Sequence, residues 1–196
     1  MRKLISSVCL LIIAACWQPL TTVASDNDKP MRVLKQGAGF ASGYSHSCAI
    51  LADGRVQCWG GNQNGQLGNG SKTDFSWDPV TVSGITNAIM VASGYHHSCA
   101  ALSDGGVRCW GDNSGGQLGD GTTTSSLVPV TVSGITNAAT VGAGGCKYSC
   151  AVLADGRVRC WGHLHFRAPD KGTIMESSLP VLVSGIADAV MARQAE

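Results

Sequence analysis

Charge is scarce in this chain. Only 14% of its 196 residues are Asp, Glu, Lys or Arg, and 14 Lys+Arg against 13 Asp+Glu leave a formal net charge of +1. With no basic excess and no basic patch, the footprint of a nucleic-acid-binding protein is missing, and no nucleic-acid partner is expected. Beyond the N-terminus no window carries an apolar period of 3.6 residues, which argues against helices. A nucleophile elbow, a phosphate loop and paired carboxylates are absent as well, so no catalytic residue, metal or cofactor is expected and the chain does not read as an enzyme. Disorder is excluded too, since 44% of the residues are hydrophobic. Low charge with 26 glycines and short Thr/Ser runs suits an all-β protein with tight turns.

What the sequence does have is a repeat. His46-Ser47-Cys48 to Cys58-Trp59-Gly60 returns as His97-Ser98-Cys99 to Cys109-Trp110-Gly111, and again as Tyr148-Ser149-Cys150 to Cys160-Trp161-Gly162. Both cysteines of each copy recur at a spacing of 51 residues. The flanks repeat as well: Pro79 to Ala88 returns as Pro129 to Ala138 and, loosened, from Pro180. Gly65-Gln66-Leu67-Gly68-Asn69-Gly70 is matched by Gly116-Gln117-Leu118-Gly119-Asp120-Gly121. A fixed period this long marks units that bury their apolar faces against one another. Each unit reads as four short strands punctuated by turn residues; in the second unit these are Ala88–Ser93, Ser98–Leu102, Val107–Trp110 and Val130–Ser133. Four strands per unit, repeated, predict β-propeller blades.

The pattern Ala-x-Gly-x-x-His-Ser-Cys-Ala-Leu, then Asp-Gly-x-Val-x-Cys-Trp-Gly, then Gly-Gln-Leu-Gly-Asp-Gly resembles the regulator-of-chromosome-condensation (RCC1) repeat over roughly residues 37–190. Its Cys-Trp-Gly ending resembles the secreted bacterial branch of that family. The resemblance implies a β-propeller, usually of seven blades. The family name also suggests guanine-nucleotide exchange, but a fold does not fix a function. Repeats are expected at 37–86, 87–136 and 137–187, with the start of a truncated fourth at 188–196. Three periods of 51 residues fit beyond residue 24 and four do not. The expected architecture is therefore all-β, about three four-stranded blades in an open, incomplete propeller. Such an arc is either a fragment of a longer propeller or part of a homo-oligomer that closes a ring.

Met1-Arg2-Lys3 followed by the apolar run from Leu4 to Ala15 has the layout of a secretory signal peptide over residues 1–24. Cleavage after Ala24 would release a soluble secreted or periplasmic protein beginning with a polar linker, 25–36. A second reading takes Ile13-Ala14-Ala15-Cys16 as a lipobox, with Cys16 lipidated and a lipid anchor as the chain's link to the membrane.

There are nine cysteines. Cys9 and Cys16 belong to the N-terminal segment. The other repeat cysteines pair if Leu51 to Arg55 forms a three-residue loop with Gly54 left-handed. The register then runs Leu51–Arg55, Ile50–Val56, Ala49–Gln57, Cys48–Cys58, and the cysteines meet at a non-hydrogen-bonded pair where side chains approach most closely. A two-residue Asp-Gly turn would instead set Cys48 opposite Trp59. The first geometry predicts disulfides Cys48–Cys58, Cys99–Cys109 and Cys150–Cys160; buried free thiols and zinc ligation are the alternatives. Cys146, in a loop one residue longer than its counterpart, is an unpaired thiol or the site of a bond between chains.

The remaining candidates are read as follows. His46 and His97, replaced by Tyr148 in the third copy, are hydrogen-bonding structural residues rather than a metal ring. Asp53, Asp104 and Asp155 precede glycines and form turns. Trp59, Trp110 and Trp161 pack between units. Gln66 and Gln117 bond loop backbone. His163 and His165, on one face of a strand with Asp170 or Glu176 near, form a weak metal candidate. Asn69-Gly70-Ser71 is a glycosylation sequon only in a secretory eukaryote. In the third unit Arg167-Ala168-Pro169-Asp170-Lys171-Gly172 replaces the Gly-Gln-Leu-Gly loop. Together these point to an exported, non-enzymatic binding or scaffold protein whose blade loops meet a protein or glycan partner.

Overall fold

The computed structural model describes residues 39–145, 147–164 and 175–183. They form twelve strands and, among the described residues, no helix. Strands β1 (Phe40–Ser42), β2 (His46–Ile50), β3 (Val56–Gly61) and β4 (Phe75–Thr81) make the first sheet. The second holds β5 (Ala88–Ser93), β6 (His97–Leu102), β7 (Val107–Gly111) and β8 (Ser126–Thr131). The third holds β9 (Ala138–Gly144), β10 (Tyr148–Leu153), β11 (Val158–Leu164) and β12 (Met175–Leu182). Every sheet is an antiparallel meander with its strands in chain order, so each repeat is one blade and three blades form an open array.

The hairpin at the centre of each blade has the expected geometry. Leu51 N donates to Arg55 O at 2.7 Å, Gly54 N donates to Leu51 O at 2.9 Å, and Gly54 has φ +79°. That left-handed residue is why glycine stands there. The Asp53 carboxylate accepts from Arg55 N at 3.1 Å and the Asp104 carboxylate from Gly106 N at 2.9 Å, so these acids do build turns. The backbone N–H of Arg55, then its guanidinium, hold the Asp53 carboxyl below the usual carboxylate range. Cys48 faces Cys58, Cys99 faces Cys109 and Cys150 faces Cys160. Each pair is a disulfide, with Cα atoms 4.0–4.1 Å apart.

The fourth strand differs from its expected bounds. It runs Ser126–Thr131 rather than Val130–Ser133. Pro129 reads as a boundary in the sequence, but β8 is an edge strand whose one strand neighbour is β7, where a missing N–H costs little. A register shift between Cys109 and Gly111 absorbs the extra residues, and the Ser126 hydroxyl bridges the bulge to Val128 O at 2.7 Å.

Alternation along the second strand of each blade shows where the core lies. In β6 every residue is buried, because both faces are covered. In β2 only His46, Cys48 and Ile50 are buried, and in β10 only Ser149, Ala151 and Leu153. One apolar core therefore fills each joint. The first gathers Cys48, Ile50, Val56 and Leu67 against Val91, Leu102 and Trp110. The second repeats it with Cys99, Val107 and Leu118 against Val141, Leu153 and Trp161. Backbone bonds cross each joint in the same pattern: Ala88 N to Gly54 O at 3.0 Å, and Ala138 N to Gly105 O at 2.9 Å. The disulfides of the first two blades thus lie in the joints, where each face can be buried only by a neighbour.

Candidate binding surface

The polar side chains that recur in the repeat meet at the joints. Gln66 O accepts two bonds from the next blade, from Trp110 Nε1 at 2.9 Å and from Ser98 Oγ at 3.0 Å. Gln117 O does the same for Trp161 Nε1 and Ser149 Oγ. Two lone pairs take two donors, so the acceptor is full. His46 Nε2 lies 2.8 Å from Ser98 Oγ, and His97 Nε2 lies 3.0 Å from Ser149 Oγ. Because each serine gives its proton to the glutamine carbonyl, the histidine must be the donor at Nε2. Nδ1 of both rings is buried, and with the proton on Nε2 it is the unprotonated nitrogen of a neutral ring. Burial first, and the neighbouring histidines after it, push His46 down from 6.5 to about 4. His97 falls likewise to about 4, again through burial. These histidines are structural staples between blades, as expected.

The glutamine side chains bond loop backbone, also as expected: Gln66 Oε1 accepts from Asn64 N at 2.9 Å and Gln117 Oε1 from Gly115 N at 2.8 Å. Trp110 and Trp161 are buried in the joints. Trp59 departs from that role. It is only half-buried and lies near Phe40, ring centroids 6.0 Å apart, because no blade among the described residues precedes it.

Two residues that organise the loops escaped the sequence reading. Asn62 Oδ1 accepts from Leu67 N at 3.1 Å while its Nδ2 donates to Ser71 O at 3.1 Å. Asn113 bonds Leu118 N at 2.8 Å, Thr122 O at 3.1 Å and Thr124 O at 3.1 Å. Both are fully buried. Their recurrence at the repeat spacing was the available signal. Between these anchors the loop tips, residues 69–74 and 120–125, are solvent-facing. At Asn69-Gly70-Ser71 the asparagine side chain is engaged with the Ser71 hydroxyl at 2.8 Å.

The remaining site candidates separate. His163 Nδ1 contacts the Glu176 carboxylate, its register partner across β11 and β12. His165, Asp170, Cys9, Cys16, Cys146 and the 167–172 loop lie outside the described residues. Among the described residues no cluster of three His, Cys, Asp or Glu side chains could hold a metal, and no helix is long and apolar enough to cross a membrane. An open groove of about 350 Å³ lies beside the first hairpin tip, lined by Leu51 to Gly54, Thr86 to Ile89 and Ser103. Its one acid, Asp53, is engaged with Arg55.

A second feature is aromatic. Tyr44 and Tyr95, in the turns between the first and second strands of adjacent blades, stack with centroids 4.0 Å apart, and His96 meets Tyr95 edge-on. The turn of the third blade carries Gly145 and Lys147 in place of such a ring.

Comparison with known proteins places this geometry. Two models of the regulator of chromosome condensation (RCC1) repeat match the chain, one at residues 53–101 and 104–152, the other at 39–66 and 90–117. The ultraviolet-B receptor UVR8 of Arabidopsis thaliana is 30% identical over 145 residues, 73% of this chain and 33% of the receptor. The human E3 ubiquitin-protein ligase HERC2 is 30% identical over 154 residues, 74% of this chain and 3% of the ligase. Among solved structures, human WBSCR16 superposes with a TM-score of 0.67 at 25% identity, covering 82% of this chain and 39% of that one. Yeast RCC1 (Prp20), solved bound to Kap60, gives 0.64 at 22% identity, covering 79% and 38%. The chain spans a third or less of the curated relatives named here. Its three cystine-pinned blades, joined through tryptophan, serine and a glutamine carbonyl, belong to the RCC1 repeat family.

Proposed function

We propose that this chain is an exported, non-enzymatic RCC1-repeat module that presents its blade loops to a protein partner. The observation that carries this reading is how completely the chemistry-bearing side chains are consumed by structure. His46, His97, Ser98 and Ser149 are buried and mutually bonded in the joints. No free acid–base pair remains there for catalysis. What faces solvent instead are the tips of loops held rigid by Asn62 and Asn113, the arrangement of a binding surface on a fixed scaffold. Three disulfides support an oxidising compartment, since cytosolic thiols are kept reduced. The apolar N-terminal segment supports export, with soluble release and lipidation at Cys16 as its two routes. A protein partner is favoured over a glycan by the yeast RCC1 structure, which is a complex with a protein.

The test is photo-crosslinking in the native host, with the crosslinker at Thr73 or Thr123 in the loop tips and at Gly142 on a strand as control. Crosslinks to a partner protein from the loop positions and none from the strand support the reading. Absence of any loop crosslink, together with accelerated nucleotide release from a GTPase by the purified chain, would replace it with the exchange-factor reading.

A further inference from the structure

Two asparagines of this chain are followed by glycine, Asn64 by Gly65 and Asn69 by Gly70. At such a pair the glycine nitrogen, unshielded by a side chain, can attack the asparagine Cγ and close a five-membered imide. Both pairs lie in the loop between β3 and β4, and the structure gives them opposite surroundings.

Gly65 is wedged into the joint between the first two blades. It is buried, and a Cβ there would sit 2.5 Å from Leu127 Cδ2 and 3.0 Å from Leu127 Cα. Its N–H donates to Asn62 O at 3.1 Å, and the Asn64 N–H donates to Gln66 Oε1 at 2.9 Å. Turning the Gly65 nitrogen toward Asn64 Cγ means rotating a peptide held between buried Asn62 and Leu127. A close-packed joint resists that shift. Gly70 is exposed, and a Cβ there would meet only Val128 Cγ1, at 3.7 Å. Its N–H donates to Leu127 O at 2.9 Å, so attack costs one bond at the rim, where water replaces the lost partner.

The Asn69 side chain is set for the reaction. Its Oδ1 accepts from Ser71 Oγ at 2.8 Å and from Ser71 N at 3.2 Å, an Asx turn that closes around Gly70 and holds Cγ beside the Gly70 peptide. The same two donors stabilise the negative charge that gathers on Oδ1 when the nitrogen adds to Cγ. The loop also accommodates the product. One period on, the position is Asp120, whose carboxylate accepts from Thr122 N at 2.9 Å, Thr122 Oγ1 at 2.9 Å and Asn113 Nδ2 at 3.3 Å. Ser71 N and Ser71 Oγ offer the first two of these bonds to a carboxylate at position 69.

We infer that Asn69 is a site of spontaneous deamidation in the folded chain and that Asn64 is not. A solvent base takes the Gly70 N–H proton as the nitrogen bonds to Asn69 Cγ. The Cγ–Nδ2 bond then breaks, and ammonia leaves with a proton returned by solvent. One water opens the imide, at Cγ to give aspartate or at the main-chain carbonyl to give isoaspartate. The loop tip gains one negative charge, and the aspartate form reproduces the acid of the second blade. The reaction needs only this loop and water, so it stands whether or not the loop tips meet a partner.

The probe is the purified, fully oxidised chain aged in mildly alkaline buffer made with heavy-oxygen water. Peptide mass spectrometry then reads the label at Asn64 and Asn69 separately. The same chain, reduced and unfolded in denaturant, is aged beside it. In the folded chain Asn69 should react about tenfold or more faster than Asn64, and in the unfolded chain the two should differ by less than about threefold. Asn69→Gln, whose longer side chain does not form the five-membered ring, should remove the acidic species that ion exchange resolves from the aged natural chain. Equal rates at the two asparagines of the folded chain overturn the inference. So does a folded Asn69 that stays intact while the unfolded one reacts, and so does an acidic species that persists in Asn69→Gln.

Discussion

Two glycines in the second blade share a backbone conformation and differ in what surrounds them. Gly119 has φ +70° and Gly134 φ +68°. A Cβ on Gly134 meets nothing within 4 Å, whereas one on Gly119 would lie 2.7 Å from Trp161 and 2.9 Å from Val132. Gly134→Ala therefore measures the left-handed backbone alone. That strain costs about 1–2 kcal/mol, and the stiffer unfolded chain offsets about 0.4–1 kcal/mol of it. The net loss is about 0–1.6 kcal/mol. Gly119→Ala carries the same terms plus overpacking of about 1–3 kcal/mol. Displacing the indole also strains its bond to Gln117 O, worth about 1 kcal/mol. The difference between the two variants is then about 2–4 kcal/mol, or roughly 4–16 °C in Tm at 2–4 °C per kcal/mol. Denaturant unfolding of both oxidised variants, followed by tryptophan fluorescence, measures it. Equal destabilisation by the two substitutions would refute this reasoning, because it would mean the joint yields to the extra methyl without cost.

Two further predictions follow from the joints. The buried histidines make stability depend on pH in one direction. Both have folded-state values near 4 against 6.5, so the neutral ring is favoured by folding. The stabilisation is present above pH 6.5 and is lost as pH falls through 4, by about 3 kcal/mol for each histidine. Denaturant midpoints between pH 7.5 and 4 should fall steeply, and His97→Gln should flatten the fall by about half; a midpoint that holds steady down to pH 4 contradicts the assignment. Removing the second disulfide with Cys99→Ala and Cys109→Ala together should cost about 2.7 kcal/mol through the freer unfolded chain. Denaturation of that variant beside the natural chain, both non-reduced, checks it, and unchanged stability would show that the cross-link adds nothing the packing has not already fixed.

The blade was legible in the sequence because its determinants are local. Hairpin loop length sets the register of Cys48 against Cys58, and the glycine at position 54 sets the loop. Each of those facts needs only about ten consecutive residues. The fourth strand was harder, since Pro129 looks like a boundary until the edge position and the bulge are known. Trp59 misled in another way: a residue that matches Trp110 letter for letter lies in a different environment because nothing among the described residues stands before it.

The sequence alone determined the period, the strand count, the cystine framework and the family, all of which are written within one repeat. Only the tertiary structure decided what the recurring polar residues do. His46, Ser98, Gln66 and Trp110 lie in two different repeats, and no spacing within one unit says that Ser98 and Trp110 share the Gln66 carbonyl while His46 bonds the serine. Stacking of the blades decided it, because a half-buried sheet face must find its hydrogen-bond partners and its apolar cover on the neighbour it packs against.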